Sequence, residues 1–330
     1  MIELTYLSGA DVDALALSDD EILGAVRDVL AQQGRGETVI EPRTHLFPGR
    51  ASGHFNVLRG VTAQHAGVKV VGDFVDNHRL GLPSELALLL LLDPATGVPA
   101  AIVDATAITE MRTGAVTAIG AELLARRDSR RLGHIGARGT SYWNVRLLAR
   151  VLPELEEIRV HSRRAESRVA FACRLEAELD RPVAAVSTWE ECVRGADVIV
   201  EASRLAEPHP LLRTSWIGPG ALVIPYGTVS AVELDLLDVI DKVVVDDWSQ
   251  AGVGPLGALR AHVDSGRLSE DNLHAELGQI VCGSRPGRQS PSERILLWHR
   301  GLSTTDIALG EALLSKARAS GIGVRLPYRA

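Results

Sequence analysis

The sequence predicts an α/β protein built from two modules, a predominantly β module followed by a doubly wound parallel sheet. Three observations carry this reading. The 330 residues exceed the usual size of one compact domain. Between residues 38 and 104, short β-rich runs follow one another with turn residues between them, which suits antiparallel pairing. Beyond residue 130, short apolar runs alternate with helical segments in the manner of βαβ units.

Residues 10–34 read as helices. Ser18 followed by Asp19, Asp20 and Glu21 has the pattern of a capping box, and Gly34 ends the helix it starts. The β-rich runs are 38–47, 54–62, 67–75, 85–93 and 98–104. The last two are joined by Pro94-Ala95-Thr96-Gly97, a turn cluster that predicts a hairpin. A long helix is expected over roughly 107–126. Strands follow at 132–136, 157–161, 182–187, 197–203, 221–227 and 242–247, with helices at 142–152 and 164–179. Thr188 and Glu191 form a second capping-box pattern. The closing stretch contains a helix that ends at Gly321. No internal repeat or low-complexity linker interrupts the chain, so the modules are expected to join tightly, through the 107–126 helix and the returning C-terminal helix.

Composition narrows the function classes. Hydrophobic residues make up 46% and charged residues 23%, as in a soluble globular protein. With four Phe, four Tyr and five Trp, the core must be aliphatic. A net charge of −7 and the lack of a basic stripe argue against nucleic acid as a partner. Cys173, Cys192 and Cys282 are widely spaced and predict neither a disulfide framework nor a zinc site. The N-terminus lacks the basic-then-apolar pattern of a secretory signal, and the longest apolar run, Leu86–Leu92, is too short to span a bilayer. The expected setting is cytoplasmic, with no membrane partner.

The chemistry-bearing signal is a glycine turn. After the strand ending at Ile135 comes Gly136-Ala137-Arg138-Gly139-Thr140-Ser141, leading into a helix. A dinucleotide-binding Rossmann turn needs glycine for the bend and for close approach to the pyrophosphate, which the helix N-terminus favours. Gly136 stands at the first glycine position and Ser141 at the helix-packing third. Arg138 takes the second, with Gly139 displaced by one. An arginine there either pairs with a phosphate or blocks it. The next strand ends in His161-Ser162-Arg163-Arg164, without the acid that reads the ribose 2′-hydroxyl of NAD. Ser162 and Arg163 suit a 2′-phosphate and favour NADPH, with NADH as the alternative; the competing reading is a solvated helix start.

Several motifs in fixed order resemble the ornithine cyclodeaminase/mu-crystallin family. They are Lys69-Val70-Val71 with Asn77 and Gly81-Leu82-Pro83, the hairpin Asp93 to Gly97, and Ile108-Thr109 with Arg112-Thr113 and Ala115. The segments 216–227, 243–247 and 301–310, then Gly321-Ile322-Gly323, complete the match. The resemblance covers most of the chain. It implies a Rossmann-type sheet, residues 116–304, inserted in a smaller α+β substrate and dimerisation domain formed by residues 1–115 and about 305–330. The oligomer it implies is a homodimer. Lys69 and Arg112 fall on the family's active-site lysine and arginine, and Arg43 lies near its second carboxylate-binding arginine. Thr113, Thr140, Ser203 and Gly227 are expected among the cofactor contacts, with Gly136, Arg138, Gly139, Ser162 and Arg163. A guanidinium suits a carboxylate, and a lysine beside a C=N bond assists proton transfer once burial lowers its pKa.

The departures from the family pattern are equally informative. Cyclodeaminases of the family carry an aspartate just after the glycine matching Gly227; here Thr228 follows, and a hydroxyl is no ionised base near neutral pH. His54 and Asn56 replace a Met-Pro pair, and His299 and Arg300 stand in a Phe-Lys-Ser-type run. These four either reshape the substrate pocket or nicotinamide contact, or pack structurally. The leading expectation is an NAD(P)H-dependent reductase of a small imino acid, or equivalently an amino-acid dehydrogenase, acting on a small imino, keto or amino acid. The alternatives are a cyclodeaminase using NAD+ catalytically, with Asp246 or Asp247 in place of the missing acid, and a non-catalytic NAD(P)-binding protein of the same fold.

Overall fold

The computed structural model describes residues 1–49, 53–205 and 207–330. The chain divides into two compact units, residues 1–112 with 301–330, and residues 113–300. Elements are numbered in chain order.

The first unit is built on a seven-stranded sheet. Its strands are β1 (Ile2–Leu7), β2 (Val39–Leu46), β3 (His54–Val61), β4 (Ala66–Asp73), β5 (Glu85–Leu92), β6 (Pro99–Asp104) and the last strand of the chain, β15 (Val324–Arg329). Their order is β15-β1-β6-β5-β4-β3-β2. From β2 to β6 the sheet is an antiparallel meander, as the turn punctuation predicts. The hairpin between β5 and β6 is held by Asp93, whose Oδ1 accepts from the amides of Ala95 and Thr96 at 2.9 and 2.8 Å. Strands β1 and β15, unassigned by the sequence reading, complete the sheet: β1 pairs parallel with β6 and antiparallel with β15, Leu4 lying opposite Leu326. Both edge strands carry a proline, Pro42 in β2 and Pro327 in β15. Helices α1 (Gly9–Leu15), α2 (Asp19–Gly34) and α10 (Ser303–Ser320) belong to this unit. The Ser18–Glu21 capping box is present in both directions at the start of α2. Helix α10 packs closely on the sheet: a Cβ on Gly67 of β4 would lie 2.5 Å from Ile307 Cγ1.

Helix α3 (Thr106–Leu124) carries the chain from the first unit into the second. Apolar on most faces, it buries Ile108, Ala115, Val116, Ala118, Ile119 and Ala121 completely.

The second unit holds an eight-stranded, all-parallel sheet. Its strands are β7 (Arg131–Ile135), β8 (Glu157–His161), β9 (Val183–Ala185), β10 (Val198–Glu201), β11 (Leu222–Pro225), β12 (Lys242–Val245), β13 (Ala275–Glu276) and β14 (Ile295–Trp298). The order β13-β12-β14-β11-β10-β7-β8-β9 runs outward from β7 on one side and outward from β10 on the other. The chain therefore reverses direction across the sheet between β7 and β10, which makes their carboxyl ends a topological switch point. The helices are α4 (Thr140–Val151), α5 (Ala165–Leu179), α6 (Trp189–Val193), α7 (Trp248–Ala251), α8 (Arg260–Asp264) and α9 (Leu277–Val281). Residues 295–298, Ile-Leu-Leu-Trp, form β14 and insert between β11 and β12, a strand the sequence reading did not separate from the helix that follows. The second predicted capping box is half made. Thr188 accepts from the Glu191 amide, but Glu191 reaches back to the Ser187 amide at 2.9 Å.

Candidate active site

In the first unit the site residues gather on the sheet face that α10 covers. Lys69 stands opposite Leu58 of β3 and Leu89 of β5, and is 1% exposed. Its Nζ donates to Asp306 Oδ1 at 2.5 Å and to Thr109 Oγ1 at 3.1 Å. Thr109 can accept because its own proton goes to Ala105 O at 2.9 Å. Arg112, three residues along α3, brings Nε to 3.1 Å from the same Asp306 oxygen, an ion-pair contact that lacks the angle of a hydrogen bond. Burial pulls the Lys69 ammonium down to about 7; Asp306 opposes that shift, while the charges of Arg112 and Arg43 reinforce it.

Local backbone geometry aims the two arginines. In the β2–β3 ladder, Glu41 faces Arg59 and Thr44 faces Val57, so Pro42 and Arg43 together oppose the single Leu58. Proline cannot donate to the ladder, and the resulting bulge turns Arg43 away from ordinary alternation. Arg43 Nη2 donates to Gly301 O at 2.7 Å. Gly301 has φ +85°, and a Cβ there would lie 1.4 Å from Arg112 Nη1, so only glycine admits the guanidinium. Lys69, Arg112 and Arg43 thus converge around Asp306 and Gly301. His54 and Asn56 lie further along the same face of β3 as a separate pair, Asn56 Nδ2 3.2 Å from His54 Nε2. The His54 ring packs against His45 and Phe47 with centroids 5.6 Å away from each.

Sequence reasoning did not single out Asp306. A signal exists in the pattern: Asp306 heads the buried stripe Asp306, Leu309, Gly310, Leu313 and Ala317 of α10. An acid on an apolar stripe needs a buried partner.

In the second unit the glycine turn fits a phosphate. Gly136 has φ +120°, and a Cβ on it would meet Ala202 O at 2.9 Å and Ser141 Oγ at 3.1 Å. Ser141 is buried against the turn, at the helix-packing position. Gly139 is the N-cap of α4; no side chain caps the helix and no acid stands in its first turn, while the Ser141 and Tyr142 amides donate to the carbonyls of Arg138 and Gly139 at 2.9 and 3.4 Å. Arg138 and Arg163 are exposed, and the Ser162 hydroxyl donates to Arg164 O at 3.2 Å. Thr113 is buried on α3.

Behind the turn runs a chain of buried neutral groups. Burial lowers His134 to about 4, so it is neutral. Its Nδ1 lies 3.1 Å from Gly136 O and its Nε2 3.2 Å from Asn144 Nδ2, which assigns the proton to Nδ1. Asn144 donates on to the Tyr226 hydroxyl, which also lies 3.0 Å from Thr140 Oγ1 at the start of α4. The Tyr226 ring stacks on His299 at 4.9 Å, and His299 Nε2 lies 2.9 Å from Thr117 Oγ1. His299 is thus 1% exposed and packed beneath Tyr226.

At the carboxyl end of β10, Glu201 is fully buried. Its Oε1 accepts from the Ser203 amide at 2.8 Å, while Oε2 and Ser203 Oγ are buried without a hydrogen-bond partner. A Cβ on Gly227 would lie 2.7 Å from Oε2, so the carboxyl sits directly against that glycine. The Thr228 carbonyl accepts from the Gly257 amide at 2.8 Å.

Two expectations meet a structural answer here. Arg300 spends its donors on a neighbouring loop, Nη1 reaching Gln250 O at 2.8 Å and Val253 O at 2.6 Å. Asp246 accepts from the Arg300 and Asp247 amides, and Asp247 caps α7 through the Gln250 amide. Both aspartates thus hold backbone amides just past the end of β12. Among the described residues no group of three or more His, Cys, Asp and Glu side chains is arranged to hold a metal ion.

The sequence model of the ornithine cyclodeaminase/mu-crystallin family matches residues 3–321. The alanine dehydrogenase of Archaeoglobus fulgidus is 28% identical over 331 residues, covering 99% of each chain. The structure of Thermococcus litoralis Δ1-pyrroline-2-carboxylate reductase in complex with NADH and L-proline superposes with a TM-score of 0.90 at 26% identity, covering 97% of this chain and 99% of that one. An archaeal alanine dehydrogenase dimer with bound NAD gives a TM-score of 0.89 at 28% identity, covering 99% of this chain and all of the other.

Proposed function

This chain belongs to the ornithine cyclodeaminase/mu-crystallin family, and from that premise we propose that it is an NAD(P)-dependent oxidoreductase that reduces the C=N bond of a small imino acid. The observation that carries this reading is the cluster of the first unit, in which two cations, Lys69 and Arg112, share one carboxylate, Asp306, with a third, Arg43, beside them on the Gly301 carbonyl. A buried excess of positive charge calls for an anion, and the α-carboxylate of an imino acid supplies it.

Reduction adds a hydride to the imine carbon and a proton to its nitrogen, giving the amine. The dinucleotide, when bound, supplies the hydride. Arg112, with Arg43, would hold the substrate carboxylate, and the Gly301 gap keeps the Arg112 guanidinium in place. Lys69 holds a proton at Nζ whose pKa of about 7 makes it transferable near neutral pH. Asp306 fixes that amine in position. In the second unit, Gly136, Gly139 and the acid-free N-terminus of α4 would take the pyrophosphate. The adenosine ribose would lie at the end of β8, where Ser162 and Arg163 favour the 2′-phosphate of NADPH, with NADH as the alternative.

We propose a homodimer as the working form. Val70 of β4 faces Leu88 of β5 on the sheet surface opposite Lys69, and these residues are 38% and 50% exposed, with Leu86 45% exposed beside them. Light scattering should return twice the monomer mass.

The test of activity follows NADPH and NADH oxidation with pyruvate, glyoxylate or oxaloacetate plus ammonia or methylamine, and with a cyclic imino acid. Turnover with at least one imine is the expected result. Tight dinucleotide binding without turnover of any imine overturns the reductase reading, and ammonia release from ornithine without net cofactor change would replace it with cyclodeamination.

A further inference from the structure

Glu201 is a buried acid that the proposed chemistry does not use. It lies at the carboxyl end of β10, beside the switch point, where strand order places Ile135 of β7 on one side and Pro225 of β11 on the other. One oxygen is tied to the Ser203 amide; the other, pressed against Gly227, has no hydrogen-bond partner, and neither has the neighbouring Ser203 hydroxyl. Two buried polar atoms without partners at one strand end are the mark of an unmet contact or of a charge held for a purpose.

The proposed cofactor determines what lies near this end. In a doubly wound sheet the dinucleotide straddles the switch point, its pyrophosphate on the first glycine turn and its adenosine ribose at the end of the second strand. Here those are Gly136 and the end of β8, which leaves the nicotinamide half to the β10 and β11 ends. That ring is cationic when oxidised and neutral when reduced. Resting on the NAD(P)-dependent reading, we infer that the Glu201 carboxyl discriminates between the two redox forms of the cofactor: ionised, it favours the oxidised ring electrostatically and leaves the reduced ring unaffected.

The surroundings allow the charge to act at a distance. Burial raises the Glu201 carboxyl to about 7 against the opposing pull of the nearby Ser203 and Gly227 dipoles, so it changes charge in the physiological range. The titratable groups on the flanking strands do not neutralise it. His134 of β7 is neutral and engaged with Asn144 and Gly136; Tyr226, just past β11, is engaged with Thr140 and Asn144. Arg204, beyond Ser203, is exposed to solvent. An ion in such a low-dielectric site acts over about 10 Å with an effect on the order of tenfold in affinity.

The test measures dissociation constants for oxidised and reduced dinucleotide by tryptophan fluorescence between pH 5.5 and 8.5. Affinity for the oxidised form should rise about tenfold as pH climbs through 7, while affinity for the reduced form changes less than about twofold. Glu201→Gln should hold the oxidised form at its low-pH affinity throughout. Lys69 loses its own charge over the same pH range, so the rise must also persist in Lys69→Met, which serves alone if Glu201→Gln does not fold. Equal pH dependence for both forms, a rise that survives in Glu201→Gln, or its loss in Lys69→Met overturns this inference while leaving the proposed function standing. Absence of any dinucleotide binding overturns both.

Discussion

The two compact units handle buried polarity in opposite ways. In the first, the buried polar groups include full ions, Lys69, Arg112 and Asp306, alongside threonines and a serine. In the second, apart from the acids Glu201 and Asp246, they are histidines, hydroxyls and amides. The first unit has already removed its charges from water, so the proposed anionic substrate would meet them undiluted. The second spends its neutral groups on shaping a turn, and on the proposed reading the N-terminus of α4 would meet the anion. A carboxylate and a pyrophosphate are both anions, yet on the proposed reading the chain would meet them differently: with fixed side-chain cations for one, a helix N-terminus for the other.

The largest effect that would break this contrast concerns Asp306. Asp306→Ala leaves Lys69 and Arg112 buried without a counter-charge, and removal of one partner from a buried ion cluster costs about 3–5 kcal/mol. Urea denaturation should show that loss, with Asp306→Asn milder. A change below about 0.5 kcal/mol, typical of a surface site, would mean that the first unit does not depend on its ions.

A smaller effect sharpens the roles. Since burial sets Lys69 near 7, the rate of imine reduction should hold steady below that pH and fall above it as the ammonium loses its proton, with amine oxidation showing the opposite limb. Lys69→Met should remove this ionisation and lower kcat by about 100-fold or more, while dinucleotide affinity stays within about twofold. A pH profile that is unchanged in Lys69→Met would assign the proton to another group. The smallest effect is expected at the solvent-facing Arg163. Arg163→Ala should weaken NADPH about fivefold and leave NADH unchanged, because an exposed charge pair contributes about 1 kcal/mol or less. Equal loss for both cofactors would remove the basis for preferring NADPH.

Much of the fold was legible from local pattern. The β–turn punctuation, the βαβ alternation and the Ser18 cap each depend on neighbours within a few residues, and each is present. The elements that escaped are those defined by distant partners. β1 and β15 pair across almost the whole chain, and Ile295–Trp298 is too short for periodicity to separate strand from helix. The same divide runs through the site. Lys69 and Arg112 sit in recognisable motifs, whereas Asp306 matters because α10 brings it back to β4. Glu201 hides in the strand Val198–Glu201, where a single acid at the end of an apolar run reads as a strand terminus until its burial is seen.

One feature of the first sheet bears on how copies of this chain meet. Its two outermost strands would otherwise offer rows of amides to any extended chain in solution. Pro42 and Pro327 each delete an amide from those rows, and the bulge at Pro42 breaks the spacing as well. An incoming strand would find the ladder interrupted on either border, so runaway edge-to-edge stacking is blocked from both sides. The proposed homodimer would then form through the apolar surface around Val70 and Leu88, where a contact between identical patches closes on itself after two copies.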